Sequence, residues 1–93
     1  MSRKSERRQA REQVTGYHEA RLAELVEHVA DATDSFRDGD LDAFAVDQVL
    51  FQYSRAAKEL WKFCNMTDVE FTARHVHEGP PIDWWERGAP KPR

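Results

Sequence analysis

Cysteine occurs once in the 93 residues, at Cys64, so no disulfide can form within the chain. That usage fits a reducing compartment. Glycine and proline are scarce, four of each, and all four prolines (Pro80, Pro81, Pro90 and Pro92) sit at the C-terminal end. The body of the chain therefore has little to interrupt helices. Apolar runs are only a few residues long, too short to span a bilayer, which predicts no membrane partner. The N-terminal stretch MSRKSERRQAR has the charge of a signal peptide but no apolar segment after it, and a cytoplasmic protein is expected. No Gly-x-Ser-x-Gly, no phosphate-cradling glycine loop and no cysteine with a neighbouring base motif is present, so nothing announces a nucleophile or a cofactor.

What is present is amphipathic and charged. Apolar residues make up 40% and charged residues 33%, a helical mixture for a single domain. A chain this short hides only about 60–65% of its unfolded surface, so self-association is a natural use of spare apolar area. The net charge of −3 is unevenly laid out. Residues 1–11 hold five cations (Arg3, Lys4, Arg7, Arg8 and Arg11) against Glu6, and residues 12–47 hold ten acids against Arg21 and Arg37. The two parts call for opposite partners, or for each other in a second copy.

The dominant stretch runs from Leu41 to Cys64. Val46, Leu50, Tyr53, Ala57, Leu60 and Cys64 recur at intervals of four and three, with Val49, Ala56 and Phe63 beside them. That spacing places all nine on one broad stripe of a helix. Upstream, His18, Leu22, Leu25, Val29, Ala32 and Phe36 predict the seam of a first helix from about Gln9 to Arg37, flanked by Val14, Tyr17 and Val26. Glu19, Glu24, Glu27, Asp31 and Asp34 fall opposite. Gly39 suits the left-handed position that closes a helix, and Asp40 or Asp42 can cap the next. So short a connection makes the helices antiparallel.

Residues 68–77 read two ways. Thr67 and Glu70 have the spacing of a capping box, which favours a short helix from Asp68 to His77. Val69, Phe71, Ala73 and His75 alternate as in a strand. Gly79, Pro80 and Pro81 end the segment, and Trp84 and Trp85 then predict an extended strap folded back over the hairpin. The expected architecture is all-α: a flexible basic arm (1–8), a helical hairpin with a short third element (9–78) and a Pro-rich strap and tail (79–93). Two such hairpins would pair as a homodimeric four-helix bundle, through Val46, Val49, Leu50, Tyr53, Leu60, Phe63, Trp84 and Trp85.

Candidate sites fare poorly. Cys64, His75 and His77 offer zinc too few ligands in the wrong spacing. Glu24, Glu27, His28 and Asp31 lack the Glu-x-x-His of a di-iron bundle and face away from the seam. DSFRDGDLD, from Asp34 to Asp42, fails as a calcium loop at Phe36 and Ala45. Arg74, His75 and His77 include a cation and a possible acid/base without a catalytic spacing. His18, on the seam, is expected to fix register, with Tyr53 as its candidate hydrogen-bond partner. Arg55, Lys58 and Lys62 are expected to pair with the acids of the first helix. No metal, cofactor or catalytic residue is predicted.

The run FQYSRAAKELWKFC from Phe51 to Cys64, preceded by FRDGDLDAF from Phe36 to Phe44, resembles small uncharacterised helical proteins of actinobacteria. The resemblance covers about Tyr17 to Asn65 and implies a bacterial cytoplasmic setting and no activity. The function expected is that of a non-catalytic interaction or regulatory protein, of the adaptor or antitoxin kind, acting on a protein partner. The alternatives are a nucleic-acid-associated protein using Arg3, Lys4, Arg7, Arg8 and Arg11, or a metal-dependent enzyme.

Overall fold

The computed structural model describes residues 3–92. Four helices follow one another: α1 (Arg3–Arg37), α2 (Ala43–Asn65), α3 (Val69–Glu78) and the single turn α4 (Trp84–Arg87). The described residues contain no strand, so the chain is all-α, and α1 packs against both α2 and α3. At about 1.5 Å per residue, α1 is about 52 Å long and α2 about 35 Å. The first helix thus overhangs its partner. Ala10 and Val14, on the overhang, are buried in one cluster with Ala73 of α3. α3 is the cover for turns of α1 that α2 cannot reach.

α1 also begins earlier than expected. Sequence periodicity starts near Gln9, yet the helix runs from Arg3. Turns of exposed Arg, Lys, Glu and Gln extend a helix already nucleated downstream, because propagation adds a hydrogen bond for each residue fixed. Apolar periodicity does not register them. Residues 1 and 2 of the expected arm lie outside the described residues.

The α1–α2 turn follows its local chemistry. Gly39 takes φ +83°, the one positive φ among the described residues. Asp40 N–H donates to Ser35 O at 2.8 Å and Gly39 N–H to Phe36 O at 3.1 Å, a Schellman closure that satisfies carbonyls left over at the helix end. Of the two candidate caps Asp42 is used: its carboxylate accepts from Ala45 N–H at 2.8 Å.

For residues 68–77 the helix is the outcome. Asp68, not Thr67, is the cap, accepting from Glu70 N–H at 2.9 Å. Thr67 instead bonds to Phe63 O and to the Thr72 hydroxyl. Thr72 is fully buried, and its hydroxyl is satisfied at the end of α2 by Thr67 and Phe63 O. This hydroxyl pair locks the α2–α3 corner.

The seam of α1 is rotated from its expected position. Ala10, Val14, Leu25 and Ala32 are the buried residues, and Tyr17 lies between them against Phe63. His18 and Leu22 are only half-buried and Phe36 is 48% exposed. Three elements share α1, so its contact line follows the sum of their footprints and not the apolar stripe that a lone partner would select. Tyr17 opposite Phe63, with ring centroids 6.0 Å apart, also fixes the register. Tyr53 lies ten residues, or about 15 Å, along α2 from that level, so the expected His18–Tyr53 hydrogen bond is not made.

Candidate functional site

The hairpin has two faces, and the C-terminal segment covers one of them. After Pro80 and Pro81 the chain returns, and Asp83 caps one helical turn by accepting from Glu86 N–H at 3.1 Å. The expected extended strap is thus partly helical, with Trp84 and Trp85 on that turn. Trp84 is 5% exposed. Its indole N–H donates to Tyr17 Oη at 2.7 Å, and its ring meets Phe63 at 5.3 Å. Trp85 stacks flat on His28, centroids 4.0 Å apart.

Backbone contacts complete the latch. Gln52 Nε2 donates to Trp85 O at 3.0 Å and Arg55 Nε to Gly88 O at 2.7 Å. Gly88 sits so close to α2 that a Cβ there would fall 2.5 Å from Gln52 O and 2.6 Å from Ala56 N. Only glycine allows that approach.

Among the described residues nothing covers the opposite face. At about 100° per residue, the residues contacted by the latch (Tyr17 and His28 on α1, Gln52 and Arg55 on α2) lie to one side of the buried line. Leu22, Val26, Val29 and Phe36 of α1 lie to the other, as do Val46, Leu50, Ala57 and Trp61 of α2. Phe36, Val46 and Leu50 line one shallow cleft near the turn. Val26, Phe36, Leu50 and Trp61 are 47%, 48%, 46% and 53% exposed. Partly exposed apolar groups thus run along two adjoining helices on this side.

The same helical geometry gathers the basic turns. Arg3, Lys4, Arg7, Arg8 and Arg11 fall within an arc of about 140° on α1, on the side of Val26 and Phe36. All five are exposed. At the other end of the molecule Asp34, Asp38, Asp40 and Asp42 surround the turn, also exposed. The hairpin is therefore polarised in charge, basic at the start of α1 and acidic around the α1–α2 turn.

The residues expected at an interface are divided. Leu60 is fully buried and Trp84 nearly so within the single chain, and Phe63 packs among Tyr17, His75 and Trp84. These three belong to the core. Trp85 and Tyr53 are half-buried, with Trp85 in the latch. Val49 falls on the buried line between Ala56 and Leu60, and Val46 and Leu50 remain at the uncovered side, joined by Val26 and Phe36, read from sequence as flank and seam of α1, and by Trp61, which the sequence reading did not select. Arg55 and Lys62 also differ from expectation: Arg55 holds the latch, and Lys62 pairs with Glu59 on its own helix at 3.6 Å.

His28, read from sequence as part of a solvated acidic face, carries the Trp85 ring; the Trp pair signals a docked strap but not its landing place. Cys64 is buried, and burial pushes its thiol up to about 11. His75 meets Phe63 edge-on at 5.3 Å while His77 is exposed. No group of three or more metal-ligating side chains comes together among the described residues. No helix there is long and apolar enough to cross a membrane. Comparison of the chain with known protein families, with curated proteins and with solved structures gave no match to any of them.

Proposed function

We propose that the chain is a non-catalytic interaction protein of the bacterial cytoplasm that works as a homodimer, its two hairpins joined through their uncovered faces into a four-helix bundle. The observation that carries this reading is the apolar surface of Val26, Phe36, Leu50 and Trp61, exposed on the side away from the latch, with half-buried Leu22 beside them. Water contact with such a face is unfavourable by about 25 cal/mol for each Å², and a second copy presents an identical surface.

Charge selects the orientation. A two-fold axis perpendicular to the helices and crossing near Leu22 lays α1 antiparallel on its mate and brings Arg7 level with Asp38. The basic turns of each copy then face the acidic turn of the other. The same axis crosses α2 near Ala57, where a small side chain permits close approach. The opposed charges fix register and partner choice more than they add affinity.

Light scattering tests the assembly. The wild type is expected at twice 10.9 kDa, and Leu50→Glu at the single-chain mass with its helical circular dichroism retained. A wild type that stays at 10.9 kDa at high micromolar concentration refutes it. The helical basic stripe also favours a second reading, nonspecific binding of nucleic acid. That binding would weaken steeply with salt and disappear when Arg7, Arg8 and Arg11 are replaced by Gln.

A further inference from the structure

One face of α1 carries two different surfaces in series. At about 100° per residue, Arg3, Lys4, Arg7, Arg8 and Arg11 share an arc of the helix with Leu22, Val26, Val29 and Phe36. Glu6 and Glu12 fall outside that arc, as do the later acids of α1. All five cations are exposed, and none is in an ion pair among the described residues. The face is therefore basic along its first turns and apolar beyond them.

An unpaired row of cations attracts a polyanion, and a phosphate backbone binds such a row by releasing its counterions. Five cations over about 12 Å of helix suit the closely spaced charges of a duplex. A membrane interface asks for apolar side chains beside the cations. Here the basic turns hold only Ala10, which is buried. In the dimer, these cations lie opposite the aspartates around the α1–α2 turn of the other copy. Those aspartates are exposed, and they repel any polyanion laid beside them.

We propose that nucleic acid and the second copy compete for this face of α1, so that binding a phosphate backbone releases the dimer into single chains. The inference rests on the dimer reading above. Coupling of this kind is reciprocal, and whatever favours the dimer weakens the hold on nucleic acid. Salt separates the two states, because phosphate contacts weaken steeply with it and apolar contacts do not. Five phosphate contacts lose about 500-fold in affinity between about 50 and 200 mM salt.

Sedimentation of the dye-labelled full chain, alone and with a large excess of a short DNA duplex, tests this. At low salt the wild type is expected as a dimer alone and as one chain per duplex in the mixture. At high salt it is expected as a dimer in both. Leu50→Glu, already a single chain, should bind the duplex about tenfold tighter than the wild type where about a tenth of the wild type is dissociated. Replacing Arg7, Arg8 and Arg11 by Gln should abolish duplex binding. A dimer that stays intact on the duplex, equal affinity of the wild type and Leu50→Glu, or binding to phosphatidylglycerol vesicles in place of duplex overturns the competition and leaves the dimer standing. A wild type found as single chains without duplex overturns the dimer reading and this inference with it.

Discussion

Alanine at three glycines separates the roles of the latch, the turn and the first helix, because one substitution has three different consequences. At Gly88 the added Cβ would meet Gln52 O at 2.5 Å, Ala56 N at 2.6 Å and Ala56 Cβ at 2.7 Å. Two of these are helix backbone, which cannot yield, so the α4 turn must lift. Lifting removes the charge-assisted Arg55–Gly88 bond, the Gln52–Trp85 bond and the Trp85–His28 stack. With all three partly exposed, the loss is about 2–4 kcal/mol, or a melting temperature lower by about 10–20 °C in a domain of this size.

Gly39, at φ +83° with open space around it, would cost about 1–2 kcal/mol as alanine, from backbone strain alone. Gly16 is helical with nothing within 4 Å of an added Cβ, so alanine there should stabilise by about 1 kcal/mol. Urea unfolding followed by circular dichroism measures all three, and amide exchange of Trp85 and Gly88 reads the latch separately. A Gly88→Ala protein with wild-type stability and wild-type protection of those amides would refute the close-approach argument.

Other outcomes follow from single contacts. Trp84→Phe removes the indole N–H that Tyr17 accepts and part of a buried ring, and should lower stability by about 2 kcal/mol in the same assay. For Cys64 the folded state holds the thiol proton more tightly than the unfolded chain does, about 11 against 9.0. Its contribution is therefore complete below pH 9.0 and is lost as the pH rises through about 11. The stability gap between the wild type and Cys64→Ala should narrow over that window, which urea midpoints measured at several pH values will show. If the basic turns face the acidic turn of a second copy, the combined change Arg7→Glu and Arg8→Glu should dissociate the dimer. Restoration on adding Asp38→Arg and Asp40→Arg is then expected by light scattering.

Much of the fold was legible because its signals are local. The Val46–Cys64 stripe, the Gly39 stop and an aspartate cap are short-range instructions, and the structure obeys each within a residue or two. The rotation of the α1 seam was not legible. Ala10, Val14 and Tyr17 face in because α3 and the returning tryptophans come from far along the chain, and periodicity within α1 holds no record of them. The same reason explains Phe63 and Trp84, read as interface residues and found in the core: the returning turn brings the Trp84 ring against Phe63 and Tyr17. Gly88 was visible in the sequence, but its contact with Gln52 and Ala56 was not.

Isotope-filtered nuclear Overhauser spectroscopy on an equimolar mixture of labelled and unlabelled chains tests the uncovered face most directly. Contacts between copies from Val26, Phe36 and Leu50 are predicted, with none from Trp85. Intermolecular contacts absent from those three side chains, or found at the latch instead, would contradict the account.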